Sequence, residues 1–252
     1  MKNNGWLILG FFLLCSFLNQ NEKKRKVYLV GDSTISIKEV RAYPETGWGM
    51  PFAGFFDSTI VVDNRAKNGR STKSFMAEGL WQPVVNNLQE GDYVFIQFGH
   101  NDEGKEKVGR YTTPDEFKTN LVKYVSDSRS RNAIPVLITP VARRRFDSTG
   151  KVLESHPVYT DAVKEVAKQL NVPLIDLNKR SKELLQQLGV DGSKHLFLHL
   201  LPSQHPNYPE GKTDDTHFNE LGARKMAQIV LQEIKKLNLD LANHIEPPFV
   251  KK

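Results

Sequence analysis

The chain has 252 residues, 25% of them charged and 39% hydrophobic, with a formal net charge of +6 and one cysteine. That length carries one well-buried α/β domain, no stretch has the composition of a linker, and the ordinary charged and apolar fractions exclude a disordered or fibrous class. The basic excess suits an acidic partner, but Lys and Arg are spread along the chain without aromatic interleaving, so no nucleic-acid partner is implied.

In chain order, Lys2, the apolar run Trp6 to Leu14, polar Asn19 to Asn21 and basic Lys23 to Lys26 form the profile of a secretory signal, too short for a comfortable membrane span. Residues 1–22 are expected to be a signal peptide and 23–252 the folded domain of a secreted or periplasmic protein. Cys15 lies in the first segment, so the mature domain would contain no disulfide. Lipidation of Cys15 is the alternative to simple export, and only that would tie the protein stably to a membrane; the bulky Leu14 before it argues against such a cleavage site.

Val27 to Val30 is an apolar run stopped by Gly31-Asp32-Ser33, which reads as a buried strand delivering a hydroxyl at its end. Taken alone, Gly-Asp-Ser reads first as a plain turn, since all three are turn formers. Thr46 to Phe56 is aromatic and Gly-rich, a short helix or loop over the core. Ile60 to Val62 is a second strand that ends in the polar segment Asn64 to Thr72. There Gly69 either allows a positive φ or brings a backbone N–H close to a ligand, and Ser71 or Thr72 caps a helix running toward Met76 and Leu80. Tyr93 to Phe98 is a third strand, followed at once by Gly99-His100-Asn101-Asp102.

Thr113 and Pro114 open a helix whose buried face carries Phe117, Leu121, Tyr124 and Val125. Ile134 to Thr139 is a fourth strand. Ala162, Val163, Val166, Ala167 and Leu170 mark another helix, Val172 to Ile175 a fifth strand, and Leu177 to Leu188 a helix closed by Gly189. The last helix, Asn219 to Leu237, is expected to bury Leu221, Met226, Ile229, Val230 and Ile234. Alternating strands and helices imply right-handed βαβ units and a mostly parallel sheet between helical layers. Two long connections, 141–158 with Arg143 to Arg145 and 191–213 with His195, His199 and His205, break the rhythm, and loops of that length are commonly functional or mobile.

Ester hydrolysis by serine needs a hydroxyl, an imidazole to take its proton, a carboxylate to orient the imidazole, and donors for the developing oxyanion. Ser33, the strand-end groups around Gly69 and Asn101, and an Asp and a His three apart in Asp214-Asp215-Thr216-His217 supply these types. Either Asp214 or Asp215 is close enough in sequence to orient His217. The three histidines 195, 199 and 205 invite a zinc reading, but no Cys accompanies them and their spacing matches no common ligand motif, so no metal or cofactor is expected.

Gly31-Asp32-Ser33, Gly69, Gly99-His100-Asn101-Asp102 and Asp214-Asp215-Thr216-His217 together resemble, in order and spacing, the four blocks of the SGNH (GDSL-type) hydrolases. The missing G-x-S-x-G elbow argues against an ordinary α/β-hydrolase. The resemblance implies a three-layer α/β/α sandwich with a flavodoxin-like sheet. It also implies Ser33 as nucleophile, His217 as general base, Asp214 as its orienting carboxylate, and Ser33 N–H, Gly69 N–H and the Asn101 amide as oxyanion hole. His100 is open to a substrate-contacting or a structural role, and Arg70 is a candidate substrate contact; Asp32 and Asp102 are expected to hold turns together.

Within that group the blocks are most similar to rhamnogalacturonan acetylesterases, which implies a secreted, monomeric serine esterase acting on an acetylated, anionic polysaccharide of the pectin type. The arginine run is then either a carboxylate clamp or a solvated loop. A lipid esterase or thioesterase of the same fold is the alternative among enzymes, disfavoured by polar loops. A non-catalytic carbohydrate-binding protein is the alternative outside them.

Overall fold

The computed structural model describes residues 24–247; the expected signal segment with Cys15 lies outside the described residues. Strands β1 (Arg25–Gly31), β2 (Ile60–Asn64), β3 (Tyr93–Gln97), β4 (Ile134–Ile138) and β5 (Leu174–Ile175) pair in parallel in the order β2-β1-β3-β4-β5. The apolar runs become central strands because both faces of the sheet are covered, so no alternation with polar residues is needed. The fifth strand is shorter than expected: Pro173 has no N–H to give the ladder, although its carbonyl accepts from Leu137 N at 3.0 Å.

Successive residues of one strand feed different layers. Val27 and Leu29 face a core closed by α1 (Gly49–Phe52), α6 (Leu177–Gly192) and α7 (Glu220–Lys236) through Phe52, Leu185, Met226 and Val230. Tyr28 and Val30 face the other core, closed by α2 (Thr72–Ala77), α3 (Trp81–Asn87), α4 (Pro114–Arg129) and α5 (Pro157–Gln169). This is the expected three-layer α/β/α arrangement.

Several elements form for local reasons visible in the sequence. Helix α4 starts at a capping box in which Thr113 and Glu116 satisfy each other's backbone N–H groups, with Pro114 in the first turn. Helix α2 starts on Ser71, which exchanges hydrogen bonds with Ser74. The helix expected to run toward Leu80 stops at Ala77, and a separate helix, α3, follows from Trp81. Helix α6 runs past its expected end to Gly192 across a break at Gly189. On α7, Met226, Ile229, Val230 and Ile234 are buried as expected, but Leu221 is 48% exposed because the first turn projects it outward.

The long segment after α6 is not a bare loop. Strand β6 (Phe197–Leu200) pairs antiparallel with β7 (Lys212–Phe218) as a separate two-stranded sheet. Its ladder is broken in one place: Phe197 faces Phe218 and Leu198 faces Asp214, so Asp215, Thr216 and His217 bulge out of β7 without ladder partners. Bulges of this kind re-aim side chains.

The strand order has one functional consequence. From β1 the chain passes to β2 on one side and then returns to β3 on the other, so a crevice opens at the carboxyl ends of β1 and β3, where ligands bind in open α/β sheets.

Candidate active site

Ser33 follows β1 directly at that crevice and is partly exposed. Its approach depends on Gly31, where a Cβ would stand 2.5 Å from both Gln97 O on β3 and the Ile35 side chain. The turn is held from below by a buried line of hydrogen bonds. Trp48 Nε1 donates to Gln97 Oε1 (3.0 Å), Gln97 Nε2 to Thr34 Oγ1 (2.7 Å), and Thr34 N and Oγ1 to Asp32 Oδ1 (2.9 and 2.8 Å). Burial pushes the Asp32 carboxyl above its usual range, against the pull of the Thr34 bonds. Asp32 thus organises the turn.

Ser33 Oγ lies 3.0 Å from His217 Nε2, and His217 Nδ1 lies 2.8 Å from Asp214 Oδ2. The other oxygen, Asp214 Oδ1, accepts from Thr216 N and His217 N at 2.8 and 3.0 Å, folding the bulge around the carboxylate. Burial alone would raise the Asp214 carboxyl, but the His217 side chain and the two backbone donors outweigh it and hold it well below the usual carboxylate range. An ionised Asp214 orients Nδ1–H and leaves Nε2 free to accept a proton from Ser33. Asp215, the alternative orienting acid, turns away and bonds Arg144 Nη1 (2.8 Å) and His199 Nε2 (2.7 Å).

Gly69 lies after β2 with φ 74°, the left-handed region that glycine tolerates best, and a Cβ there would meet the Arg110 guanidinium at 3.0 Å. Asn101, after β3, donates one amide N–H to Arg70 O at 3.1 Å, drawing the β3 block against the residue beside Gly69 and leaving its second N–H for a ligand. Asp102 is buried beneath, accepting from Thr72 N, Thr72 Oγ1 and Thr112 Oγ1 on one oxygen and from Gly99 N on the other. Burial, opposed by those bonds, brings its carboxyl to about 7. Its place is that of the turn-holding residue expected.

His100 and Arg70 have other engagements. The His100 ring is buried, Nε2 bonds Val141 O at 3.0 Å, and the ring lies 4.2 Å from that of His156. Burial and the neighbouring His156, Arg143 and His217 charges lower its pKa well below the usual imidazole value, so it stays neutral. The Arg70 guanidinium pairs with Glu78 (2.7 Å) and with Asn68 O (2.8 Å). Of the remaining histidines, His205 packs by Tyr43, and among the described residues no group of three or more His, Cys, Asp and Glu is arranged to hold a metal ion.

One residue here carries no sequence signal. The Lys38 side chain is 2% exposed, and its ammonium donates to Ser33 O (2.5 Å) and Asn68 Oδ1 (2.7 Å) and pairs with Glu45 (2.7 Å). It ties the Ser33 turn to the segment that carries Gly69.

The GDSL-like Lipase/Acylhydrolase family model matches residues 29–225, which include all four blocks. The chain is 41% identical over 224 residues to the rhamnogalacturonan acetylesterase RhgT of Bacillus subtilis, covering 89% of this chain and 95% of that one. It is 37% identical to the probable rhamnogalacturonan acetylesterase YesY of the same organism, covering 87% and 96%. Among solved structures, the Bacillus subtilis protein YxiM superposes with a TM-score of 0.73 at 25% identity; the match covers 86% of this chain and 58% of that longer one. An acetylxylan esterase, Axe2 from Geobacillus stearothermophilus, shares the fold at a TM-score of 0.57 and 18% identity, covering 83% and 94%. The chain therefore belongs to the GDSL-like lipase/acylhydrolase family and is a carboxylic ester hydrolase.

Proposed function

We propose that the protein is a carbohydrate acetylesterase that removes acetyl groups from acetylated rhamnogalacturonan through an acyl-enzyme formed on Ser33. The observation that carries the mechanism is the unbroken line from Ser33 Oγ through His217 to Asp214. Ser33 Oγ attacks the acetyl carbonyl carbon while His217 Nε2 takes its proton, and Asp214 stabilises the imidazolium. The N–H groups of Ser33 and Gly69 and the free N–H of Asn101 receive the charge on the carbonyl oxygen. Collapse breaks the bond to the sugar oxygen, which takes the proton back from His217. Water, deprotonated by the same imidazole, then releases acetate and restores Ser33.

The substrate rests on the names of the relatives at 41% and 37% identity and on the net charge of +6, which suits a polyanion. Action outside the cytoplasm is part of the proposal and is supported by the signal-like pattern of residues 1–22. The test is acetate release from acetylated rhamnogalacturonan, acetylated xylan and p-nitrophenyl esters of increasing chain length, with Ser33→Ala as control. Highest turnover on the pectic polymer, abolished in Ser33→Ala, is expected. A preference for xylan would move the substrate, and a preference for long acyl chains would replace the reading by a lipid esterase.

A further inference from the structure

The bulge that carries His217 poses a mechanical problem. Asp215, Thr216 and His217 have no ladder partners, yet the His217 ring must stay within hydrogen-bond reach of a serine delivered by a different sheet. The two hydrogen bonds that Asp214 Oδ1 receives close the bulge on itself but do not fix it to the body of the protein.

The anchor comes from the loop after β4. Arg144 grips Asp215 twice: its backbone N–H donates to Asp215 O at 2.8 Å and its Nη1 to Asp215 Oδ1 at 2.8 Å. Its guanidinium is nearly buried and is also held by Ser193 Oγ at 3.0 Å. The preceding residue takes the next position of the bulge, since Arg143 Nη1 donates to Thr216 Oγ1 at 2.7 Å while Nη2 reaches Glu103 Oε1 at 3.4 Å. Glu103 Oε2 in turn lies 2.9 Å from Nδ1 of the fully buried His156. The loop is itself pinned, with Val141 O bonded to His100 and Ala142 N to Ser181 Oγ, both at 3.0 Å.

We propose that Arg143 and Arg144 are positioning residues, a clamp on the two residues between Asp214 and His217 that sets the reach of the His217 imidazole toward Ser33. Each terminal guanidinium nitrogen of both arginines already donates within the protein, and the remaining Arg143 Nε is buried, so both side chains are committed first to holding the bulge. Of the three arginines in the run, Arg144 is buried, Arg143 half-buried and Arg145 exposed.

The proposal rests on Ser33, His217 and Asp214 being the reacting groups, and its test separates the two. Steady-state kinetics with p-nitrophenyl acetate, too small to span the loop, are compared for wild type, Arg143→Met, Arg143→Lys, Thr216→Val and the Arg143→Met/Thr216→Val double variant, each with its melting temperature. Because a displacement of about 1 Å can cost up to about 10²-fold, Arg143→Met and Thr216→Val should each lower kcat roughly 10- to 100-fold with KM little changed. The double variant should lose no more than the worse single one, and Arg143→Lys should recover part of the loss. Near wild-type kcat in a folded Arg143→Met protein, additive losses, or a defect confined to KM would overturn the clamp. If Arg143→Met does not fold, Thr216→Val, which changes only one exchangeable group on the bulge, decides the matter by the same kcat criterion. Turnover retained by Ser33→Ala would instead refute the assignment of the nucleophile.

Discussion

Lys38→Met removes a charge without removing its volume, and its consequence can be worked from the contacts. The ammonium is buried among Ser33 O, Asn68 Oδ1 and Glu45, and burial lowers its pKa although Glu45, Asp32 and Asp214 pull it back up. Methionine keeps the apolar stem packed but leaves the Glu45 carboxylate, itself only 17% exposed on its side chain, without a counter-charge. Breaking a buried pair from one side costs roughly 3–5 kcal/mol. The low end applies here, because Asn68 Oδ1 keeps its bond from Ser36 Oγ (2.5 Å) and Glu45 has some access to water. About 3 kcal/mol corresponds to a fall in melting temperature of about 6–12 °C for a chain of this size. Calorimetric or circular-dichroism melts at neutral pH measure it, and adding Glu45→Gln to Lys38→Met should recover part of the loss because the stranded charge is gone. A Lys38→Met protein that melts within about 2 °C of wild type, or a double variant less stable than the single one, would refute the reasoning.

Two further outcomes follow from the site. Asn101→Ala removes a proposed oxyanion donor and should lower kcat on p-nitrophenyl acetate by about 10²- to 10³-fold with little change in KM; near wild-type kcat would exclude Asn101 from that role. Asp102, with its carboxyl raised to about 7, holds a proton in the folded protein between about pH 4 and 7 that the unfolded chain has already released. Its contribution to stability is therefore complete below about pH 4 and declines as pH rises through that window. Melting temperature against pH should fall more steeply from about pH 4 to 7 in wild type than in Asp102→Asn, and parallel profiles would refute the shift.

The apolar runs at residues 27–30, 93–96 and 134–138, the Thr113 cap and the four polar blocks at strand ends are legible in the sequence because each depends on neighbours a few positions away: a run long enough to span a sheet, a Gly that stops it, a side chain that reaches its own helix's first N–H groups. The three-layer order and the candidate site residues follow from these. The β6–β7 hairpin was not legible, because the acidic and polar bulge of Asp214 to His217 interrupts any alternation of period two and eleven residues separate the two strands. Helical spacing puts Leu221 on the buried face, yet it is exposed, because spacing alone does not say which side of a first turn meets the core.

Charge is where local pattern is silent. Arg143 and Arg144 read as a solvated or substrate-binding run until the fold supplies Thr216, 73 positions away, and Asp215, 71 positions away. Lys38 has no local sign of burial; Asn68, 30 positions on, and Glu45 close around it only in the fold. A buried charge is tolerated only where partners converge on it, and which distant groups converge is a property of the chain's path through space. By itself, then, the sequence determined the strands, their polar ends and the residue types of an ester-hydrolysing site. Only the tertiary structure decided which ions hold those residues in reach of one another.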